Sequence, residues 1–255
     1  MMLSFNMVSS TAGSITPAKK KIILAVDPGH GGDDAGAKSG AFLEKDICLL
    51  YAKRLQELAS GYNIEVQLTR NNDESVPLSN RVALCDKVKA DLFLSLHVEN
   101  EQGTNKAKGD FDIFISGKAP FAERSGNCSN SIFTAMVNSG IIPGETAGCM
   151  HNPSKVCSQC IGLPASNVAV SKKEGVFVLN NAHVPAMVMV LGNIKNTQAM
   201  QNLVDHNKMD LLCNTILKGI VEGAEAKTIP KTGCGPVPQS NDKYVFARLT
   251  PNMNN

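Results

Sequence analysis

Residues 21–32 read KIILAVDPGHGG, a short apolar run followed by an abrupt loop. The run from Lys21 to Val26 is rich in β-branched residues and predicts a buried strand. It stops at Asp27-Pro28-Gly29, because a proline and three glycines force a tight turn of the chain. That turn places His30 just past the edge of a sheet, where ligands bind in α/β folds.

Strands and helices alternate along the rest of the chain. Periodicity predicts helices over residues 45–59, after Ser79 as an N-cap, and from about 197 to 225. Further strands are predicted at residues 64–68, 91–97, 111–115, 175–179 and 185–191. The last of these is apolar throughout, which is typical of a central strand covered on both faces. The alternation indicates a single α/β domain with helices on both faces of the sheet.

The composition excludes several classes of protein. The net charge of +2 gives no global reason to bind nucleic acid or an anionic membrane. No apolar run reaches the roughly 20 residues that span a bilayer, so no transmembrane segment is expected. With no Trp and 3 Tyr, an aromatic platform for stacking sugars is not expected.

The two ends of the chain differ from the predicted domain, which covers residues 21–226. Residues 1–20 form a polar N-terminal extension without the apolar stretch of a secretory signal. Residues 227–255 are rich in Pro, Gly and Asn and predict a surface tail. Inside the domain, residues from about 120 to 173 are the least regular, and we expect one helix and a Cys-bearing insertion there.

The eight cysteines fall into two groups. Those in helical patterns are interpreted as partly buried thiols and are Cys48, Cys85 and Cys213. Those in loop-like sequence suit an oxidising compartment and are Cys128, Cys149, Cys157, Cys160 and Cys234. The cluster of Cys149, His151, Cys157 and Cys160 favours disulfides, and a structural zinc knuckle is the alternative.

Three side chains from separate elements predict a metal site. His30 follows the first strand, His97 ends the third, and Glu44 opens the first long helix. Two imidazoles and one carboxylate leave a fourth position open for water, as catalytic zinc requires.

Six ordered motifs surround these side chains. They are residues 27–32 (DPGHGG), 44–46 (EKD), 68–70 (LTR), 78–83 (LSNRVA), 94–97 (LSLH) and 185–192 (PAMVMVLG). In order and spacing the chain resembles the zinc-dependent N-acetylmuramoyl-L-alanine amidases that open with this histidine motif, over roughly residues 21–225.

The resemblance implies a mixed, mainly parallel sheet and one Zn²⁺ bound by His30, Glu44 and His97. The implied substrate is peptidoglycan, cut at the amide between N-acetylmuramic acid and the L-alanine of the stem peptide. It also implies an extracytoplasmic location, in the periplasm or cell envelope, and a role in cell division. In some relatives a segment corresponding to the insertion blocks the zinc until a protein activator moves it.

The sequence departs from the family's motifs at one position. The family has a general-base Glu two residues before the final glycine of the last motif, and here that residue is Val190. Three interpretations remain open: Glu99 or Glu174 substitutes for it, the zinc-bound water works with less help, or hydrolysis is lost. The corresponding functions are an amidase and a peptidoglycan-binding or regulatory protein. A zinc peptidase acting within the stem is a third class with similar metal chemistry.

Overall fold

A computed structural model of the protein describes residues 20–100, 111–115, 120–141, 168–172 and 175–226, with the backbone alone for 168–172. The strands are β1 (Ile22–Pro28), β2 (Lys38–Ser39), β3 (Phe42–Leu43), β4 (Ile64–Leu68), β5 (Leu92–Glu99), β6 (Phe111–Ile115), β7 (Val168–Lys172) and β8 (Ala186–Asn193). The α-helices are α1 (Glu44–Leu58), α2 (Leu78–Val88), α3 (Ala122–Asn138), α4 (Phe177–Asn181), α5 (Thr197–Val204) and α6 (His206–Glu225).

The main sheet of the described chain has six strands in the order β4-β1-β5-β8-β6-β7. All neighbouring pairs are parallel except β6 with β8, which is antiparallel. The strands β1, β5 and β8 therefore all end at the same edge of the sheet. Because β6 is antiparallel to β8, β6 begins at that edge.

Helices cover both faces of this sheet. On one face, Leu24 and Val26 of β1 join a cluster with residues of α1 and α6 such as Leu55 and Ile216. On the other face, Ala25 packs in a second cluster with residues of α2 and α4. The predicted α/β fold, with a mixed, mainly parallel sheet, is confirmed. Within the described ranges, no helix combines the length and the apolar character needed to cross a membrane.

One predicted strand is wrong and three were missed. Residues 175–179 do not form a strand, because the chain bends at Gly175 and then forms the short helix α4. A short apolar run suits either a buried strand or a buried helical turn, so periodicity cannot separate the two. The strands β2, β3 and β7 were not predicted.

Two predicted helix boundaries are also wrong. The helix expected from 197 to 225 is interrupted at Asp205, whose side chain accepts a hydrogen bond from Lys208 N at 3.0 Å and caps α6. Pro77 takes the N-cap position of α2, and Ser79 lies inside its first turn. At the strand ends, β1 continues to Pro28 and β5 to Glu99, two residues beyond their predicted ends.

The helices α3 and α6 cross at very short range because α6 presents glycines there. A Cβ added to Gly223 would lie 2.5 Å from Cys128 Cα, and one added to Gly219 would overlap the backbone of Ile132. Backbone atoms cannot move aside as the end of a flexible side chain can. The close crossing therefore depends on both glycines.

We expect Gly219→Ala to destabilise the protein by about 1–3 kcal/mol, because the added methyl overpacks the crossing. Gly126→Ala is the matched control in α3, since a Cβ there makes an ordinary contact of 3.9 Å with Ile115 Cδ1. Helix propensity predicts that the control gains roughly 0.5–1 kcal/mol. Urea unfolding of both variants measures the difference, and equal stabilities would contradict this description of the crossing.

Candidate metal centre

The predicted ligands meet where β1 and β5 end. Pro28 and Leu96 are partners in the parallel pair of these strands, so His30 and His97 follow directly from neighbouring positions. Their ring centroids lie 5.2 Å apart, with the rings nearly perpendicular. Glu44 reaches the same point as the first residue of α1. The histidine and carboxylate ligand atoms all lie within 4.8 Å of one another.

Glu44 lies at the middle of this cluster and has 0% exposed surface. Its Oε1 is 2.9 Å from His97 Nδ1 and accepts a hydrogen bond from Val98 N, while its Oε2 accepts one from Ala37 N at 2.8 Å. Burial would raise the pKa of Glu44, but the two imidazoles outweigh it and hold the pKa far below its ordinary value. Glu44 is therefore a carboxylate, the form that binds metal.

His30 has a free ligand atom that faces Glu44. Its Nε2 is buried 3.1 Å from Glu44 Oε2 and makes no hydrogen bond within the described part of the chain. On the other side of the ring, Nδ1 lies 2.7 Å from Asp34 Oδ2. Since a carboxylate can only accept, Nδ1 donates to Asp34, and the carboxylates of Asp34 and Glu44 on either side of the ring raise the pKa of His30 in spite of its burial. A metal ion between Nε2 and Glu44 would take the place of a proton there. This arrangement fits a metal ligand oriented by a second carboxylate.

Two glycines leave room for the cluster. A Cβ on Gly36, which has φ +64°, would lie 2.6 Å from both Glu44 Oε2 and His30 Cδ2. A Cβ on Gly29 would lie 2.5 Å from His97 Cε1. Any larger residue at either position would displace a predicted ligand. Both positions therefore require glycine, because the ligand side chains pack directly against the backbone there.

Two buried guanidinium groups fix the loop that carries His30. Arg81 donates to Pro28 O and His30 O at 2.9 Å, and Arg70 donates to Pro28 O at 3.0 Å and Gly29 O at 2.9 Å. These bonds satisfy carbonyl groups that face the interior, which a buried loop would otherwise leave unpaired. The family motifs at residues 68–70 and 78–83 thus act by holding the loop in place.

Asp27 balances the charge of Arg81 beneath the loop. The carboxylate lies 2.8 Å from Arg81 Nη1 and accepts hydrogen bonds from Thr69 Oγ1 at 2.6 Å and Ser95 Oγ at 2.7 Å. Burial alone would raise the pKa of Asp27, but Arg81 and the two hydroxyls hold it below its ordinary value. The pair therefore stays charged and links β1, β5 and α2 under the site.

The position of the family's general base is filled by an apolar side chain. Val190 lies on β8 directly opposite His97 and is 1% exposed. Of the two substitutes considered from sequence, Glu99 is the last residue of β5 and is buried. Glu174 lies outside the described residues.

The cysteine predictions are only partly tested. Cys128 does not lie in a loop, because it is buried in α3 against α6, and burial raises the pKa of its thiol to about 11. Among the described residues it is a free thiol, as are Cys48, Cys85 and Cys213. The remaining cysteines and His151 lie outside the described ranges.

Comparison with known proteins gives a family match over most of the chain. A family model described as N-acetylmuramoyl-L-alanine amidase matches residues 24–222. The amidase AmiC of Escherichia coli O6:H1 is 45% identical over 83 residues, 31% of this chain and 20% of AmiC. The endolysin of Bacillus phage SPP1 is 28% identical over 223 residues, 87% of this chain and 72% of the endolysin. The chain thus spans about a fifth of AmiC but most of the endolysin.

Solved structures share the fold. The N-acetylmuramoyl-L-alanine amidase from Clostridium difficile 630 superposes with a TM-score of 0.65 at 21% identity, over 82% of this chain and all of that one. The CwlD amidase from Clostridioides difficile, solved in complex with the GerS lipoprotein, gives 0.62 at 19% identity over 80% of this chain and 98% of CwlD.

Asp34 was not predicted from sequence, although it lies four residues after His30 in the same glycine-rich loop. We expect Asp34→Ala to weaken zinc binding about 10- to 100-fold, because the imidazole loses the carboxylate that orients it. Competition with a chromophoric chelator measures the affinity. Asp33→Ala is the control, since Asp33 is its exposed neighbour. An Asp34→Ala protein with the affinity of the control would contradict the orienting role.

Proposed function

Since this chain belongs to the N-acetylmuramoyl-L-alanine amidase family, we propose that it is a zinc-dependent hydrolase of peptidoglycan. The bond cut is the amide between N-acetylmuramic acid and the L-alanine of the stem peptide. The observation that carries the proposal is the buried cluster of His30, Glu44 and His97, in which His30 Nε2 lies 3.1 Å from Glu44 Oε2 and makes no hydrogen bond with the described residues. Two nitrogens and one oxygen suit zinc.

Each residue of the site has a defined part in this chemistry. His30, Glu44 and His97 would hold the ion, which when bound acidifies water and polarises the amide carbonyl. Asp34 orients the His30 ring, and Arg81 and Arg70 hold the loop that positions it. A preorganised ligand set avoids reorganisation during the reaction.

We place the reaction outside the cytoplasm, in the periplasm or cell envelope, because peptidoglycan lies there. A role in cell division belongs to the same proposal. An activator protein is a further proposed partner, and the solved complex of CwlD with GerS supports it by analogy. In the region of the expected insertion, at about 120–173, residues 142–167 and 173 lie outside the described residues.

Val190 supports a second candidate, a peptidoglycan-binding or regulatory protein with little hydrolysis. A valine accepts no proton, and a positioned base contributes typically a factor of about 10² to 10⁴ in rate. Such a protein would keep the fold and the zinc site but release no stem peptide.

We expect His97→Ala to lose bound zinc, because two remaining ligands cannot hold the ion in a stable tetrahedral site. Elemental analysis of the purified full chain after dialysis measures the zinc content. His183→Ala is the matched control, since His183 is exposed and pairs with Asp86 on α2, at 3.2 Å. Full zinc content in His97→Ala would show that the ion is bound elsewhere.

Digestion of purified sacculi separates the candidate functions. The amidase releases stem peptides with a free L-alanine amino group, and the release stops with chelator and returns with zinc. Mass spectrometry of the products also distinguishes the amidase from a peptidase, which would cut between amino acids of the stem. Pelleting with sacculi without any release would instead establish the binding protein.

A further inference from the structure

The turn that carries His30 has a backbone conformation that the chain rarely adopts by itself. His30, Gly31 and Gly32 follow one another with φ angles of 59°, 127° and 62°. A positive φ is unfavourable for a histidine, because its Cβ crowds the backbone. Such a conformation persists only where the surrounding structure holds it. The contacts that hold this turn therefore decide where His30 lies.

On its buried side the turn is joined to a second loop, residues 71–77, which we call the flanking loop. Arg70 donates to Asn72 O at 3.1 Å, and Arg81 donates to Val76 O at 2.9 Å. The same two guanidinium groups donate to the carbonyl groups of the turn. The turn and the flanking loop are thus held by shared donors.

On its exposed side the turn is held at Gly32 by two side chains from different elements. Gly32 N donates to Asp73 Oδ1 at 2.8 Å, and Gly32 O accepts a hydrogen bond from Lys45 Nζ at 2.8 Å. Lys45 Nζ also lies 2.6 Å from Asp73 Oδ2, which closes a ring of three contacts. A Cβ on Gly32 would lie 2.8 Å from Ser75 N, so the flanking loop packs directly against the turn.

This ring of contacts lies next to the predicted zinc ligands in the sequence and in space. Gly32 is midway between His30 and Asp34, whose Oδ2 lies 2.7 Å from His30 Nδ1. Lys45 directly follows Glu44 in the first turn of α1. A shift of Gly32 would therefore move Asp34 relative to the imidazole that it orients.

We propose that Asp73 and Lys45 are positioning residues for the zinc site. They act as a pair, through the backbone of Gly32, and keep His30 and Asp34 in the geometry that binds the ion. This inference rests on the zinc site of the proposed function. The side chains of Lys45 and Asp73 are 13% and 49% exposed, and exposed ion pairs contribute little to global stability. The pair should therefore affect zinc binding more than unfolding.

Zinc affinities of the full chain, measured by competition with a chromophoric chelator, test the pair. Asp73→Ala and Lys45→Ala should each weaken binding about 3- to 10-fold, less than Asp34→Ala, because they act on the imidazole through the backbone. The double variant should bind no more weakly than the weaker single variant, since either change opens the ring of contacts. Losses that add in the double variant would show two independent effects and overturn the proposal.

A second ion pair on α1 provides the matched control. Arg54 Nη2 lies 2.7 Å from Asp210 Oδ2 on α6, and Arg54 contacts neither the turn nor the flanking loop in any described hydrogen bond or ion pair. Arg54→Ala should keep the wild-type zinc affinity. An equal loss of affinity in Arg54→Ala and Asp73→Ala would show a general effect of removing an ion pair from α1, and would overturn the proposal.

Two measurements on the metal-free protein separate positioning from a general structural role. In protein labelled with ¹⁵N-histidine, Asp34→Ala identifies the signal of the His30 Nδ1 proton. That signal should shift in Asp73→Ala and Lys45→Ala and stay in place in Arg54→Ala. The melting temperature of Asp73→Ala should remain close to that of the wild type. A markedly lower melting temperature together with weaker zinc binding would indicate a structural role only and overturn the proposal.

The outcomes distinguish failure of the inference from failure of the proposed function. Unchanged zinc affinity and an unchanged His30 signal in Asp73→Ala overturn the inference and leave the amidase intact. A wild type that binds zinc but releases no stem peptide refutes the amidase function, while the affinities still decide the role of the pair. If the wild type binds no zinc, the proposed function fails and the inference fails with it.

Discussion

The architecture around the site depends on one carboxylate that has no contact with solvent. Glu44 begins α1, accepts backbone hydrogen bonds from Ala37 and Val98, and faces both imidazoles. A buried charge is tolerated only when its partners are complete, so the loop after β1, the end of β5 and the start of α1 must come together as one unit. The same partners that satisfy the carboxylate in the metal-free protein are the ligands that would share an ion with it.

Most of the fold and the ligand cluster could be predicted from sequence, for identifiable reasons. The strands β1, β4 and β6 are short β-branched or alternating runs with clear boundaries, and their positions agree with the structure. The glycine-rich turn restricts where His30 can lie, and parallel strands that end at one edge bring His97 beside it. The family resemblance then identified Glu44, which the periodic pattern alone marks only as an acidic residue in a first helical turn.

Most of what could not be predicted depends on contacts between distant segments. No sequence pattern reveals that β6 runs antiparallel to β8 while its other neighbour, β7, runs parallel to it. Cys128 looks like a loop residue among Ser, Gly and Asn, but packing against Gly223 makes its segment helical. Asp205 interrupts the last helix by accepting a local hydrogen bond, a competition that hydrophobic spacing does not register. The first two depend on contacts between distant segments, and the third on a hydrogen bond between residues three apart.

Zinc-dependent hydrolysis requires that His30, Glu44 and His97 share one zinc ion. An anomalous difference map from crystals grown with zinc, recorded above the zinc absorption edge, tests it most directly. We expect one strong peak at about 2.0–2.2 Å from a nitrogen of each histidine and an oxygen of Glu44. A peak held by other side chains, with this cluster left without density, would contradict it.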